Sequence, residues 1–188
     1  RSMFVAGQAG TEAFQALTLE MEQTRARLAE PRLAAVKKSV VELLEYAGRF
    51  GIRLGLENRY HYMDIPLLSE LEQLLELDLA DRLGFIYDVG HARALDLLGF
   101  VPHKEWLKRC ASRMVGVHLH DVIGVTDHYA PGLGDVDFAA LAPYISPHAF
   151  RTLELHPKNT TEQVHASLRV LAAQGCIHPL NTQEKSDA

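Results

Sequence analysis

Ile52-Arg-Leu-Gly-Leu-Glu57 is a short apolar run ending on a carboxylate, and three later runs repeat the arrangement: Phe85-Ile-Tyr-Asp88, Met114-Val-Gly-Val-His118 and Arg151-Thr-Leu-Glu154. Each has the length and character of a buried β-strand. The four closing residues follow one another at intervals of 31, 30 and 36 positions. Such an interval holds one strand, one helix and their connections. Strict alternation of this kind predicts an α/β fold, a parallel sheet covered by helices. Right-handed crossovers bring the C-terminal ends of parallel strands to one side of the sheet. Glu57, Asp88, His118 and Glu154 should therefore converge on one patch. One imidazole and three carboxylates make an oxygen-rich set suited to Mn²⁺ or Mg²⁺, with Zn²⁺ or Co²⁺ as alternatives.

Outward from the strands, the helical patterns are plain. Pro31 opens a strong one, with Leu33, Val36, Val40, Leu43, Leu44 and Ala47 at helical spacing and Gly51 closing it. A weaker, Glu-rich pattern runs from Thr11 to Leu28 with Phe14, Leu17 and Met21 on one face. Further helices are predicted over about Pro66–Glu76, His103–Ser112, from Asp137 onward, and over Thr161–Gln174 with Gly175 as its cap. Val89-Gly90-His91 reads as loop. So does Asp121 to Gly134, a length that in a compact domain usually serves function. The tail Asn181–Ala188 reads as disordered.

Composition excludes some classes. The 188 residues are 47% apolar and 23% charged, as in ordinary globular proteins. A net charge of −5 argues against a nucleic-acid surface. No apolar stretch approaches the roughly 20 residues of a membrane span, and no secretory signal pattern is recognisable. Cys110 and Cys176 show no metal-type spacing, and the expected setting is the reducing cytoplasm.

The bland readings of the four residues are concrete. Glu57 and Glu154 would be structural ion pairs with Arg53, Arg59 or Arg151, since a buried carboxylate needs a cation. Asp88 would cap the following segment. His118 would be a satisfied core histidine. Metal ligation is favoured because the four residue types recur together at strand ends.

Five segments carry a family resemblance: Gly55-Leu-Glu-Asn58, Asp88-Val-Gly-His91, His118-Leu-His-Asp121, His128-Tyr-Ala-Pro-Gly-Leu-Gly134 with Asp137-Phe138, and Leu153-Glu-Leu-His-Pro157. In that order they resemble the xylose isomerase-like TIM barrels, which include the sugar phosphate isomerases/epimerases and their relative, the endonuclease IV type of abasic-site nuclease. The resemblance runs from about residue 31 to residue 175. It implies a (β/α)8 barrel of which this chain covers roughly strands five to eight. The division is then an N-terminal helical segment (residues 1–30), a partial barrel (31–178) and a flexible tail (179–188). A half barrel exposes sheet edges and an inner face, so a homo-oligomer or association with the absent N-terminal half is expected.

The resemblance also implies roles. Glu57 and Glu154 are the catalytic acid and base as well as ligands, working on a carbohydrate whose carbonyl the metal polarises. His91 contacts substrate or binds a second metal. His120 or Asp121 orients His118, and Asn58 and Arg59 lie at the rim or touch substrate. The nuclease pattern would make Asp127 or His128 a zinc ligand, although it separates Asp and His by one residue and here they adjoin. His156 shares a strand face with Glu154 and points at the mouth. His91, His128 and His156 are therefore the substrate-binding candidates. The expected activity is a metal-dependent sugar or cyclitol isomerase or epimerase. The alternatives are a zinc-dependent abasic-site nuclease and a catalytically incomplete barrel fragment.

Overall fold

A computed structural model of the chain describes residues 1–78 and 81–178. One turn of helix, α1 (Ser2–Val5), precedes the long α2 (Glu12–Gly48), whose first N–H groups are capped by Thr11. The helix start read at Pro31 is not there, because α2 runs through it without a break. A proline inside a helix frees the carbonyl four residues earlier. Pro31 and Arg27, which carries that carbonyl, are both exposed, so the freed oxygen stays open to solvent. Leu33, Val40, Leu44 and Ala47 bury the C-terminal half of α2 in the core. The N-terminal half is held by Arg25, buried and bonded to Glu70 at 2.5 Å.

The chain then enters β1 (Leu54–Glu57), α3 (Leu68–Leu75), β2 (Leu83–Asp88), α4 (Val89–Leu97) and α5 (His103–Cys110). Val89-Gly90-His91, read from sequence as loop, is the first turn of α4. Its Asp88 cap has no apolar residue three positions on to advertise a helix. Strand β3 (Met114–Leu119) leads into the hairpin β4 (Asp121–Ile123) and β5 (Thr126–Tyr129), where sequence suggested an open loop. These strands are too short for their alternation to register. A single turn, α6 (Phe138–Leu141), then β6 (Phe150–Leu153) and α7 (Thr161–Ala173) complete the described chain. Gly175 follows at φ +79°, in the left-handed region expected of a helix-ending glycine. The predicted disorder of the tail lies outside the described residues.

The main sheet has the order β1-β2-β3-β6, all parallel. Residues alternate across it. Phe85 and Tyr87 point outward, Phe85 stacking on Trp106 of α5 at 6.3 Å, into a core shared with Leu71, Leu74, Leu95 and Val117. Asp88 emerges on the opposite face. Register places Asp88 directly beside His118, and His118 beside Thr152, two residues short of Glu154. Among the described residues, no helix is long and apolar enough to cross a membrane.

Candidate metal centre

The four sequence-selected residues do meet at the C-terminal ends of the strands, arranged around Asp88. Its carboxylate is fully buried. Oδ2 lies 3.4 Å from His118 Nδ1, which in turn lies 2.7 Å from Glu154 Oε2. On the other side, Asp88 Oδ1 lies 3.6 Å from His91 Nδ1, which is 3.0 Å from Glu57 Oε1. Ligand-type atoms of Asp88, His118 and Glu154 fall within 4.8 Å of one another, and so do those of Glu57, Asp88 and His91. Glu57 thus joins the group through Asp88 and not through direct proximity to His118. A third cluster, His91, Asp127 and His128, adjoins them.

The arginines proposed as structural partners of the glutamates are engaged elsewhere. Arg53 bonds Asp81 at 2.7 Å, Arg59 lies 3.8 Å from Asp64, and Arg151 donates to the carbonyls of Cys176, Ala149 and Ser146. Histidines face the glutamates in their place. Asp88 does serve as a helix cap, accepting from the His91 N–H at 2.7 Å, while keeping its place in both clusters.

The local charges follow. Burial opposes ionisation of Asp88, but the imidazoles of His118, His120 and His91 that face its carboxylate hold its pKa well below the usual carboxylate range. Burial likewise opposes a charged His91. The Glu57 hydrogen bond, the Asp88 charge and the Asn58 carbonyl outweigh it and raise the pKa to about 9. His118 is raised through Asp88, against burial.

A cation suits this donor set. His118 Nδ1 and Glu154 Oε2 are buried, have no hydrogen-bond partner in proper geometry, and yet lie 2.7 Å apart. Two lone-pair atoms so close require a proton or a metal ion between them.

Other sequence readings need correction. Asn58 is not a rim or substrate residue: it is fully buried, and its amide bonds both the N–H and the C=O of Asp88, at 2.8 and 2.9 Å. It fastens the end of β1 to the end of β2. Neither His120 nor Asp121 orients His118. His120 bonds Asp88, and Asp121 gathers the backbone N–H groups of Val122, Gly132 and Val136. His128 has φ +62°, unfavourable for a residue with a side chain. Its Nε2 lies 3.4 Å from Glu154 Oε1 and its Nδ1 3.0 Å from Asp127. His156 is exposed in an open pocket at the mouth with Tyr60 and Asp127. The Asp127-His128 adjacency does not keep the two side chains apart.

Residues 6–174 match the family described as xylose isomerase-like TIM barrel. The chain belongs to that family. Over 102 residues this xylose isomerase-like chain is 34% identical to an uncharacterized protein of Methanocaldococcus jannaschii, covering 52% of the chain and 33% of the relative. Its fold is similar to that of the 3-keto-D-glucoside 4-epimerase YcjR from E. coli, apo form, with a TM-score of 0.59 and 21% identity over 75% of this chain and 53% of that one. The chain therefore spans about a third of one relative's length and about half of the other's. In TIM barrels the C-terminal ends of the strands carry the chemistry, and the clusters around Asp88 occupy that position.

Proposed function

We propose that the chain carries the metal-binding half of a sugar isomerase or epimerase, with its strands standing as the fifth to eighth of an eight-stranded barrel. The observation that carries the reading is the pair of glutamates flanking Asp88 and His118, each with its own imidazole neighbour. Glu57 Oε1 lies 3.0 Å from His91 Nδ1, and Glu154 Oε1 lies 3.4 Å from His128 Nε2. Glu57, Asp88, His118 and Glu154 would hold a divalent ion, Mn²⁺ or Mg²⁺ by the hardness of the donors. When bound, such an ion polarises a carbonyl and acidifies the neighbouring C–H. One glutamate accepts that proton and the other returns one, each carboxylate oriented by the imidazole beside it. His91, His128 and His156 surround the mouth, where they would position substrate hydroxyls. The 3-keto-glucoside epimerase with the similar fold makes a keto sugar the first substrate class to try.

Association is part of the proposal. Strands β1 and β6 each pair on one side only among the described residues, and Phe150 is 48% exposed. A second barrel half, or another copy, would cover both. A cytoplasmic setting is proposed with it.

A second reading rests on the His91, Asp127 and His128 cluster. Several metal ions close together would suit phosphodiester hydrolysis, against the net charge of −5. The test is incubation with Mn²⁺ and keto sugars in D2O, following deuterium at the carbon beside the carbonyl. Incorporation that disappears in Glu57→Gln and in Glu154→Gln is expected. Stoichiometric metal binding, lost in Glu154→Ala, without exchange into any keto sugar would reject the reaction while keeping the site. Cleavage of an abasic-site duplex that depends on Asp127 would transfer the case to the second reading.

A further inference from the structure

His120 is fully buried at the centre of this region, yet it belongs to none of the three ligand clusters. Its two nitrogens have distinct partners. The backbone N–H of His128 donates to Nδ1 at 2.9 Å. That nitrogen therefore carries no proton, and the neutral ring holds its proton on Nε2. From there it donates to Asp88, with both carboxylate oxygens at 3.1 Å. The ring also lies parallel to the His128 ring, 4.4 Å between centroids and 1° between planes. Gly90 makes the room: a Cβ there would lie 2.3 Å from His120 Cε1.

We propose that His120 is a positioning residue that couples Asp88, the carboxylate common to two ligand clusters, to the seating of the β4–β5 hairpin. The inference rests on the metal-centre reading above. A carboxylate rotates about its last bond, and ligation needs one oxygen on each side. The His91 N–H holds Oδ1 at 2.7 Å. The Nε2 proton, equidistant from the two oxygens, fixes the carboxylate plane from a second direction. Its availability depends on the hairpin, because the His128 amide selects the tautomer. When the hairpin lifts, Asp88 loses both the selected donor and the stacked wall behind it. Linkage then requires the reverse effect: metal on Asp88 tightens the hairpin.

The test measures Mn²⁺ binding by electron paramagnetic resonance on the full chain, alongside hydrogen exchange in peptides covering the hairpin. Wild type should bind Mn²⁺ and exchange more slowly across the hairpin when loaded. His120→Ala should weaken Mn²⁺ about 10- to 100-fold, with an unchanged circular dichroism spectrum. His120→Gln, whose amide supplies a donor in place of Nε2–H and an acceptor oxygen in place of Nδ1, should recover most of the affinity and of the metal-dependent slowing. Wild-type affinity in His120→Ala overturns the proposal and leaves the metal centre standing. No Mn²⁺ binding by wild type overturns both. If His120→Ala does not fold, the hairpin decides: identical exchange in loaded and metal-free wild type overturns the coupling.

Discussion

Replacing Gly90 by alanine sets two effects against each other with opposite signs. Gly90 is the second residue of α4 and has no positive φ, so an ordinary helix would gain up to about 1 kcal/mol from the change. The surroundings oppose it. The new Cβ would lie 2.3 Å from His120 Cε1, 2.9 Å from His120 Nδ1 and 2.7 Å from Asp127 Cβ. His120 cannot swing aside, since both of its nitrogens are bonded and one face is stacked. Overpacking of this kind costs about 1–3 kcal/mol. Displacing His120 also removes a hydrogen bond to a charged group, about 1.5–3 kcal/mol more. The net expectation is a loss of about 2–5 kcal/mol. In urea that lowers the unfolding midpoint by about 1–2 M for a slope near 2–3 kcal/mol per M. Mn²⁺ affinity should fall in the same variant. A midpoint equal to or above wild type, with unaltered affinity, would refute the claim that Gly90 exists to admit His120.

Other expectations test separate parts of the molecule. Arg25→Met leaves Glu70 without its 2.5 Å partner in a buried setting; unfolding should show a loss of about 3–5 kcal/mol, and much less when Glu70→Gln accompanies it. His128→Gly relieves the backbone at φ +62°. Thermal melting should show it unchanged or stabilised by up to about 1 kcal/mol, while the deuterium exchange proposed above falls. For the metal-free protein, the His91 pKa of about 9 lies above its ordinary 6.5. A raised pKa stabilises the fold fully below pH 6.5 and loses that contribution as pH climbs towards 9, at most about 3 kcal/mol in melts across that window. Asp88, held low, contributes with the opposite sign: its share is present above the ordinary carboxylate range and is lost on acidification.

The runs ending at Glu57, Asp88, His118 and Glu154 made the sheet legible because each strand is buried on one face and ends at the chemistry. The same pattern could not show what lies between them. Asn58 looks like a rim residue from sequence, since nothing local reveals that its amide spans to the backbone of the next strand. His120 has the same spacing from His118 as any alternate strand residue, and its bond to Asp88 depends on register across strands. Asp127 entered the sequence reading only as the nuclease-type alternative to His128, because the two adjoin. Adjacent residues on a regular strand face opposite ways, and it is the left-handed backbone at His128 that breaks the alternation. Pro31 misled because proline favours the first turn of a helix, yet at an exposed position it also sits inside a long one.

Asp121 has a consequence for how such a site diversifies. Its buried carboxylate collects the N–H groups of Val122, Gly132 and Val136, and so ties both roots of the segment carrying Asp127 and His128 to one point. Between those roots the segment is held at a few points: the Val125 carbonyl by Tyr60, the His128 N–H by His120 and the His128 carbonyl by Asn159 and the His156 N–H. Side chains between those points can be exchanged while the strands and their carboxylates stay in register, so long as the His128 N–H still meets His120.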